Sequence, residues 1–251
     1  MNDEVVRVAG LTCAFGDSVV LNDVHLSLKR GERRGIIGPN GSGKSTLLNS
    51  LSGWMRPRSG SIQLYGQNIT GFSPAEIATL GMTRTFQYVQ LSVSQTVLAN
   101  VSIALFRRYR IGYSMWRPLT KHTAVRDEAF AILARLHLTH YADSVVEHLS
   151  YGVQKQVELA MLLAAQASVL LLDEPAAGLS EEESAEVLAI LQSMSQDIAI
   201  LVIEHDIDFL LGLAESVTVL SDGRVIYDGS AADVRESAEV AQIYMGTGGF
   251  H

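Results

Sequence analysis

"GIIGPNGSGKSTLLNSLSG", residues 35–53, places a glycine-rich turn between an apolar run and an amphipathic one. Within it, Gly38-Pro39-Asn40-Gly41-Ser42-Gly43-Lys44-Ser45 fits the pattern G-x-x-x-x-G-K-[ST]. "RRGII" (33–37) reads as a short strand feeding the turn. After the turn "STLLNSLS" reads as a helix with Leu47, Leu48 and Leu51 on one face and Gly53 as its stop. That strand–turn–helix context is what the pattern requires to act as a phosphate cradle. Glycines let successive backbone N–H groups converge on one anion, and the helix start adds the positive end of its dipole. Lys44 then reaches the β- and γ-phosphates of a nucleotide, and the Ser45 hydroxyl ligates Mg²⁺. The expected nucleotide-binding run is Gly38 to Ser45, extended by Thr46 in the first helical turn.

A second magnesium anchor is expected far along the chain, in "VLLLDEP" (169–175). Asp173 ends a buried strand, where its carboxylate can hold a water on Mg²⁺. Glu174, one residue further toward the nucleotide, is the candidate general base for an attacking water. An acid pair can also simply favour the start of a helix. Here Pro175 and Gly178 delay the next helix to about Ser180, so the pair lies outside its first turn.

Further strands read outward from these two. "AILVI" (199–203) is a buried strand, and "VHLSLKR" (24–30) alternates as a half-buried one. "VTVLSDGRVIYDG" (217–229) is a hairpin turning at Asp222-Gly223. Between the two buried strands lies an amphipathic helix opening with Ser180 and Glu183 at capping-box spacing, with Val187, Leu188, Leu191 and Met194 inward. Strand–helix–strand alternation at both ends implies a parallel sheet, whereas roughly 88–165 reads as helical. The expected fold is α/β: a P-loop NTPase (RecA-like) parallel-sheet core with an N-terminal antiparallel β region and an inserted helical subdomain. Residues 1–251 form one domain, with core 1–87 and 166–251 and insertion 88–165.

Composition excludes several classes. The closest approach to a membrane span, "AMLLAAQASVLLL" (160–172), is too short and runs into acids. "MNDEVVRVAG" has neither the basic region nor the apolar run of a secretion signal. The single cysteine, Cys13, leaves no internal disulfide and no cysteine-rich metal site. A net charge of −8 argues against nucleic acid as a partner. These features lead to the expectation of a cytosolic chain.

Lys44 and Asp173 are 129 positions apart, much further than in a small kinase or switch GTPase. The gap holds "RTFQ" (84–87) and "LSYGVQKQVELA" (149–160). With these motifs the chain resembles the ATP-binding cassette (ABC) family. The resemblance implies that Gln87 touches Mg²⁺ and the attacking water, that His205 in "VIEHD" is the switch histidine, and that Phe15 stacks on adenine. It aligns Leu149-Ser150-Tyr151-Gly152-Val153 with the signature Leu-Ser-Gly-Gly-Gln. Helical spacing of Val153, Val157, Ala160/Met161 and Ala164 puts Ser150–Gly152 at a helix start, an anion site. In the family that site caps the γ-phosphate bound by a second subunit. Two departures stand out: Val153 replaces the signature's glutamine, and Ser180 replaces an aspartate in the loop after the glutamate. Both favour a heterodimer with a second ABC ATPase subunit over a homodimer.

The resemblance further implies an ATPase peripheral on the inner face of the cell membrane. Its partners would be transmembrane permease subunits and, indirectly, an extracytoplasmic substrate-binding protein. "GMTRTFQYVQLSVSQTVLANV", "DEPAAGL" and "IEHD" look like the ATPases of branched-chain amino-acid importers. Urea-importer ATPases, lipopolysaccharide-exporter ATPases and soluble cassette ATPases are the alternatives. The stretch "YVQLSVSQTVL" (88–98) is expected to expose apolar residues, Leu91 among them, to the permeases. The remaining features read more plainly: "RRYR" (107–110) as a solvated charge run, Trp54 and Trp116 as packing residues, His137 and His140 as surface positions.

Overall fold

The computed structural model describes residues 3–85, 91–109 and 122–234. In chain order the strands and helices are β1 (Glu4–Phe15), β2 (Ser18–Lys29), β3 (Arg33–Ile37), α1 (Lys44–Leu51), β4 (Ser59–Leu64), β5 (Gln67–Asn68), α2 (Pro74–Thr79), β6 (Met82–Arg84) and α3 (Val97–Arg108). They continue with α4 (Thr123–Arg135), α5 (Tyr151–Ala165), β7 (Val169–Asp173), α6 (Glu181–Ser193), β8 (Ala199–Ile203), α7 (Ile207–Leu213), β9 (Ser216–Ser221) and β10 (Arg224–Ser230). Two compact units result: one from 1–85, 168–177 and 192–251, the other from 86–167 and 178–191. The stretch 178–191, which carries most of α6, thus groups with the helices and not with the strands on either side of it.

The first unit holds two sheets. One is antiparallel, in the order β2-β1-β4-β5; the other has the order β10-β9-β3-β8-β7-β6. In the second sheet β3 runs parallel to both β8 and β9, β7 runs parallel to β8 and β6, and only β10 is antiparallel. Every residue of β7 and β8 is buried, as expected of inner parallel strands covered on both faces. Register places Ile36, Ile203 and Asp173 level with one another. The carboxyl ends of β3, β7 and β8 therefore share one edge, where open α/β sheets bind ligands.

Helix α1 has only eight residues, too short to be stable by propensity, so packing must hold it. Leu47, Leu48 and Leu51 are fully buried with Ile36, Leu171 and Leu201, each contributing about 1.5–3 kcal/mol by burial. The hairpin β9–β10 turns through Asp222 and Gly223, both at positive φ (47° and 73°), as the Asp-Gly pair predicts. Arg34 is nearly buried; it donates to Glu32 (2.9 Å) and Thr218 (2.9 Å) and pairs with Asp228. Burial pushes the Glu32 carboxyl up, yet the Ser216 hydroxyl, the Lys29 N–H and Arg34 outweigh it and hold the group below its ordinary value.

In the second unit, Val101 and Leu105 of α3, Ala129 and Leu133 of α4, and Val157, Ala160 and Ala164 of α5 share one apolar core. Three sequence expectations need correcting. Leu91 is buried in this core, and Val97 and Leu98 with it, so Val93 is the exposed large apolar residue among the described part of 88–98. Arg108 is no solvated charge: it donates to both Glu128 oxygens, at 2.6 and 3.0 Å, while the Tyr109 hydroxyl donates to Glu128 at 2.5 Å. Trp54, in the first unit, is 58% exposed and so lies outside the buried core. The Arg107 side chain, Arg110 and Trp116 lie outside the described residues.

Candidate active site

The turn after β3 is held open by the absence of side chains. A Cβ on Gly38 would stand 2.0 Å from the Leu220 carbonyl oxygen, so only glycine permits β3 to enter the turn beside β9. Gly43 caps α1 at φ 102° with no side-chain cap, and no acid occupies the first turn. The first N–H groups of the helix are thus left for an anion. The Ser42 hydroxyl is buried and has no hydrogen-bond partner among the described residues, an orphan that a phosphate oxygen would satisfy. Lys44 is buried and donates to the carbonyls of Gly38 (2.7 Å) and Pro39 (3.1 Å). Burial pushes its ammonium down from the ordinary value, and the charges of Glu174 and Asp173 pull it back up. These four features together make a cradle for a bound polyphosphate.

Both acids stand at the carboxyl end of β7. Asp173 Oδ2 accepts from Arg84 at 2.6 Å, and its own N–H donates to the Thr85 hydroxyl at 3.2 Å. Arg84 also donates to Asn49 (2.5 Å) and Ser52 (3.3 Å), at the far end of α1. Ser45 is exposed at the start of α1. A hydroxyl and a carboxylate are hard oxygen donors that suit Mg²⁺, which keeps phosphate and water oxygens as its other ligands.

Glu174 adopts φ 48°, a left-handed conformation that costs a non-glycine residue about 1–3 kcal/mol and concentrates at functional sites. Its N–H donates to the Ile203 carbonyl (2.9 Å), and its carbonyl accepts from Ala177 (3.1 Å). His205 follows β8, with Nε2 3.4 Å from Glu174 Oε1. The residue between, Glu204, is 4% exposed; it accepts from the N–H groups of Ala176 (2.7 Å) and His205 (2.9 Å). Burial pushes the Glu204 carboxyl up, against the backbone N–H groups of Ala176, His205 and Asp206, and the charge of Glu174 pushes it further up.

The structure therefore gathers Lys44, Ser45, Asp173, Glu174 and His205 at one sheet edge. Phe15 ends β1 and is 61% exposed. Gln87 lies outside the described residues. Ser150 and Gly152 belong to the second unit, where Ser150 caps α5 by accepting from the Val153 N–H at 3.3 Å. A Cβ on Gly152 would meet the Glu183 carboxylate at 2.3 Å, so a larger residue there would displace that side chain. Val153 packs against the helical core, and Gln154 donates to the Val146 and Leu149 carbonyls (3.3 and 3.1 Å), so neither presents a free amide. Sequence reasoning missed Arg84 and Glu204. Arg84 lay inside the quoted "RTFQ" and Glu204 inside "VIEHD", but only strand pairing shows what they touch.

A family model described as "ABC transporter" matches residues 21–177, more than half of the chain. This chain belongs to the ABC transporter family. It is an ATP-hydrolysing cassette of that family. It is 32% identical, over 98% of its length and 99% of the relative's, to the high-affinity branched-chain amino acid transport ATP-binding protein LivG of Escherichia coli K12. The corresponding protein BraF of Pseudomonas aeruginosa is 31% identical over the same shares. Among solved structures, the ADP conformation of the ATP-binding cassette MJ1267 superposes with TM-score 0.84 at 30% identity, covering 97% of this chain and 99% of that one. The cassette MJ0796, a dimer in a post-hydrolysis state bound to ADP and phosphate, gives TM-score 0.77 at 26% identity over 90% of this chain and 98% of that one.

Proposed function

We propose that this cassette binds and hydrolyses Mg²⁺·ATP to energise a membrane importer of branched-chain amino acids. The observation that carries the chemistry is the convergence of Lys44, Asp173, Glu174 and His205 at the carboxyl ends of adjacent parallel strands. The choice of importer rests on end-to-end likeness to LivG and BraF.

In this reading the Gly38–Thr46 loop, through its N–H groups after Pro39, and the Lys44 ammonium bind the β- and γ-phosphates, and Phe15 stacks on adenine. Ser45, Asp173 and Gln87 would hold Mg²⁺, which when bound would neutralise charge on the phosphates. Glu174 orients the attacking water and takes its proton as the oxygen bonds the γ-phosphorus. The bond to the β–γ bridging oxygen breaks, leaving ADP and phosphate. His205, beside Glu174, fixes that carboxylate. Ser150 and Gly152 act across an interface, on nucleotide held by a second ATPase subunit. A heterodimer is favoured, because Val153 and Gln154 leave the signature without a free side-chain amide. Permeases and an extracytoplasmic binding protein complete the assembly, with this subunit on the inner membrane face.

The test is reconstitution of the chain with its cognate permeases, second ATPase and binding protein in proteoliposomes. ATP-driven uptake of leucine, isoleucine or valine is expected. Uptake of urea with no amino-acid uptake would overturn the substrate assignment.

A further inference from the structure

Glu204 sits between two loops that both carry active-site groups, and it bonds to each. One carboxylate oxygen, Oε1, accepts from the Ala176 N–H at 2.7 Å, two residues beyond Glu174. The other, Oε2, accepts from the His205 N–H at 2.9 Å, and the Asp206 N–H also donates to the carboxylate. The side chain is buried, so these bonds are made away from competing water. Glu174 meanwhile stands in a left-handed conformation that it would not keep unaided, and surrounding structure must over-determine such a residue. Backbone bonds to Ile203 and from Ala177 pin it on two sides. The Ala176–Glu204 bond pins the rest of the turn to the loop that begins with His205.

We infer that Glu204 is a positioning residue for hydrolysis: its carboxylate brackets the loop after β7 to the loop after β8, holding Glu174 and His205 within reach of each other. This inference rests on the assignment of Glu174 as the base. A carboxylate is suited to the task because it offers acceptors on both sides and no donor. In Glu204→Gln the new Nε2 donors would face backbone N–H groups on one side. Either the Ala176 bond or the His205 bond must then be lost. Phosphate binding should be spared, since Gly38–Thr46 make no use of Glu204.

The test compares full-length Glu204→Gln, Glu204→Asp, His205→Ala and the double variant Glu204→Gln/His205→Ala. Steady-state ATPase and equilibrium ATP binding are measured on each. Glu204→Gln should lower kcat about 10- to 100-fold with KM and ATP affinity within threefold. Glu204→Asp, which keeps both charged acceptors on a shorter stem, should fall between it and wild type. In the His205→Ala background, adding Glu204→Gln should cost less than about threefold more, because both changes disturb one unit. Wild-type kcat in Glu204→Gln, a kcat loss matched by lost ATP binding, or full multiplication of the two losses would each overturn the bracket. If Glu204→Gln does not fold, the kcat-against-KM split of Glu204→Asp decides by the same criteria. Glu174→Gln separates the two claims. If it is inactive while Glu204→Gln is normal, only the bracket fails; if it hydrolyses ATP normally, the base assignment fails as well.

Discussion

Lys44 Nζ donates to the Gly38 carbonyl at 2.7 Å, so the cradle lysine is folded back on its own loop. A polyphosphate would exchange these carbonyls for charged oxygens. Hydrogen bonds to charged groups are worth about 1.5–3 kcal/mol, or roughly 10- to 150-fold in affinity. Lys44→Met should therefore weaken ATP binding by about that factor, measured by calorimetric titration. The Tm without nucleotide should change little.

The close approach of Gly38 to Leu220 makes a stability prediction. Gly38→Ala puts a methyl against the Leu220 carbonyl oxygen, backbone that cannot swing aside. Overpacking of this kind costs about 1–3 kcal/mol. Urea denaturation should show a loss in that range, together with weakened ATP binding. Gly41→Ala, where a Cβ meets nothing among the described residues within 4 Å, should cost less despite its positive φ of 82°.

How much of this was legible in the sequence follows from which interactions are local. The cradle, its helix and the buried runs at 169–173 and 199–203 declare themselves within a few residues. The antiparallel sheet showed only through β2, because β1 shifts register between Val8 and Leu11 and again beyond it. Those irregularities break the alternation of Val6, Val8, Leu11 and Cys13 on which a strand reading depends. Arg108 looked solvated because its partner, Glu128, is 20 residues away on another helix. Leu91 looked available because the core it joins also draws on α4 and α5, which the local sequence does not show. Arg84 and Glu204 acquire their meaning only when β6 pairs with β7 and the loop after β8 meets the loop after β7.

Acid should destabilise the first unit through Glu32. Its folded carboxyl lies below its ordinary value of 4.5, so the stabilisation is complete above that pH. It is lost as the pH falls through the lowered folded value. Thermal melts from about pH 6 to pH 3 should show a steeper loss of Tm in wild type than in Glu32→Gln, which begins less stable. Parallel curves would remove Glu32 from that role.

The signature makes a prediction about assembly. Val153 faces the helical core and Gln154 is occupied by carbonyls of its own unit. Sedimentation with ATP should show weak self-association of the Glu174→Gln chain and tighter association with the second ATPase subunit. A missing neutral hydrogen bond at each of two sites, at about 0.5–1.5 kcal/mol apiece, corresponds to a roughly 5- to 150-fold weaker homodimer. A tight ATP-dependent homodimer would argue for symmetric assembly.

The central claim is that Glu174 takes the proton of the attacking water beside an intact phosphate cradle. The direct measurement is ATP turnover and ATP binding on the same preparation of Glu174→Gln. Turnover should fall about 10²- to 10⁴-fold, equivalent to roughly 3–5 kcal/mol of barrier, with ATP affinity within threefold of wild type. Turnover within threefold of wild type at unchanged affinity would contradict the account.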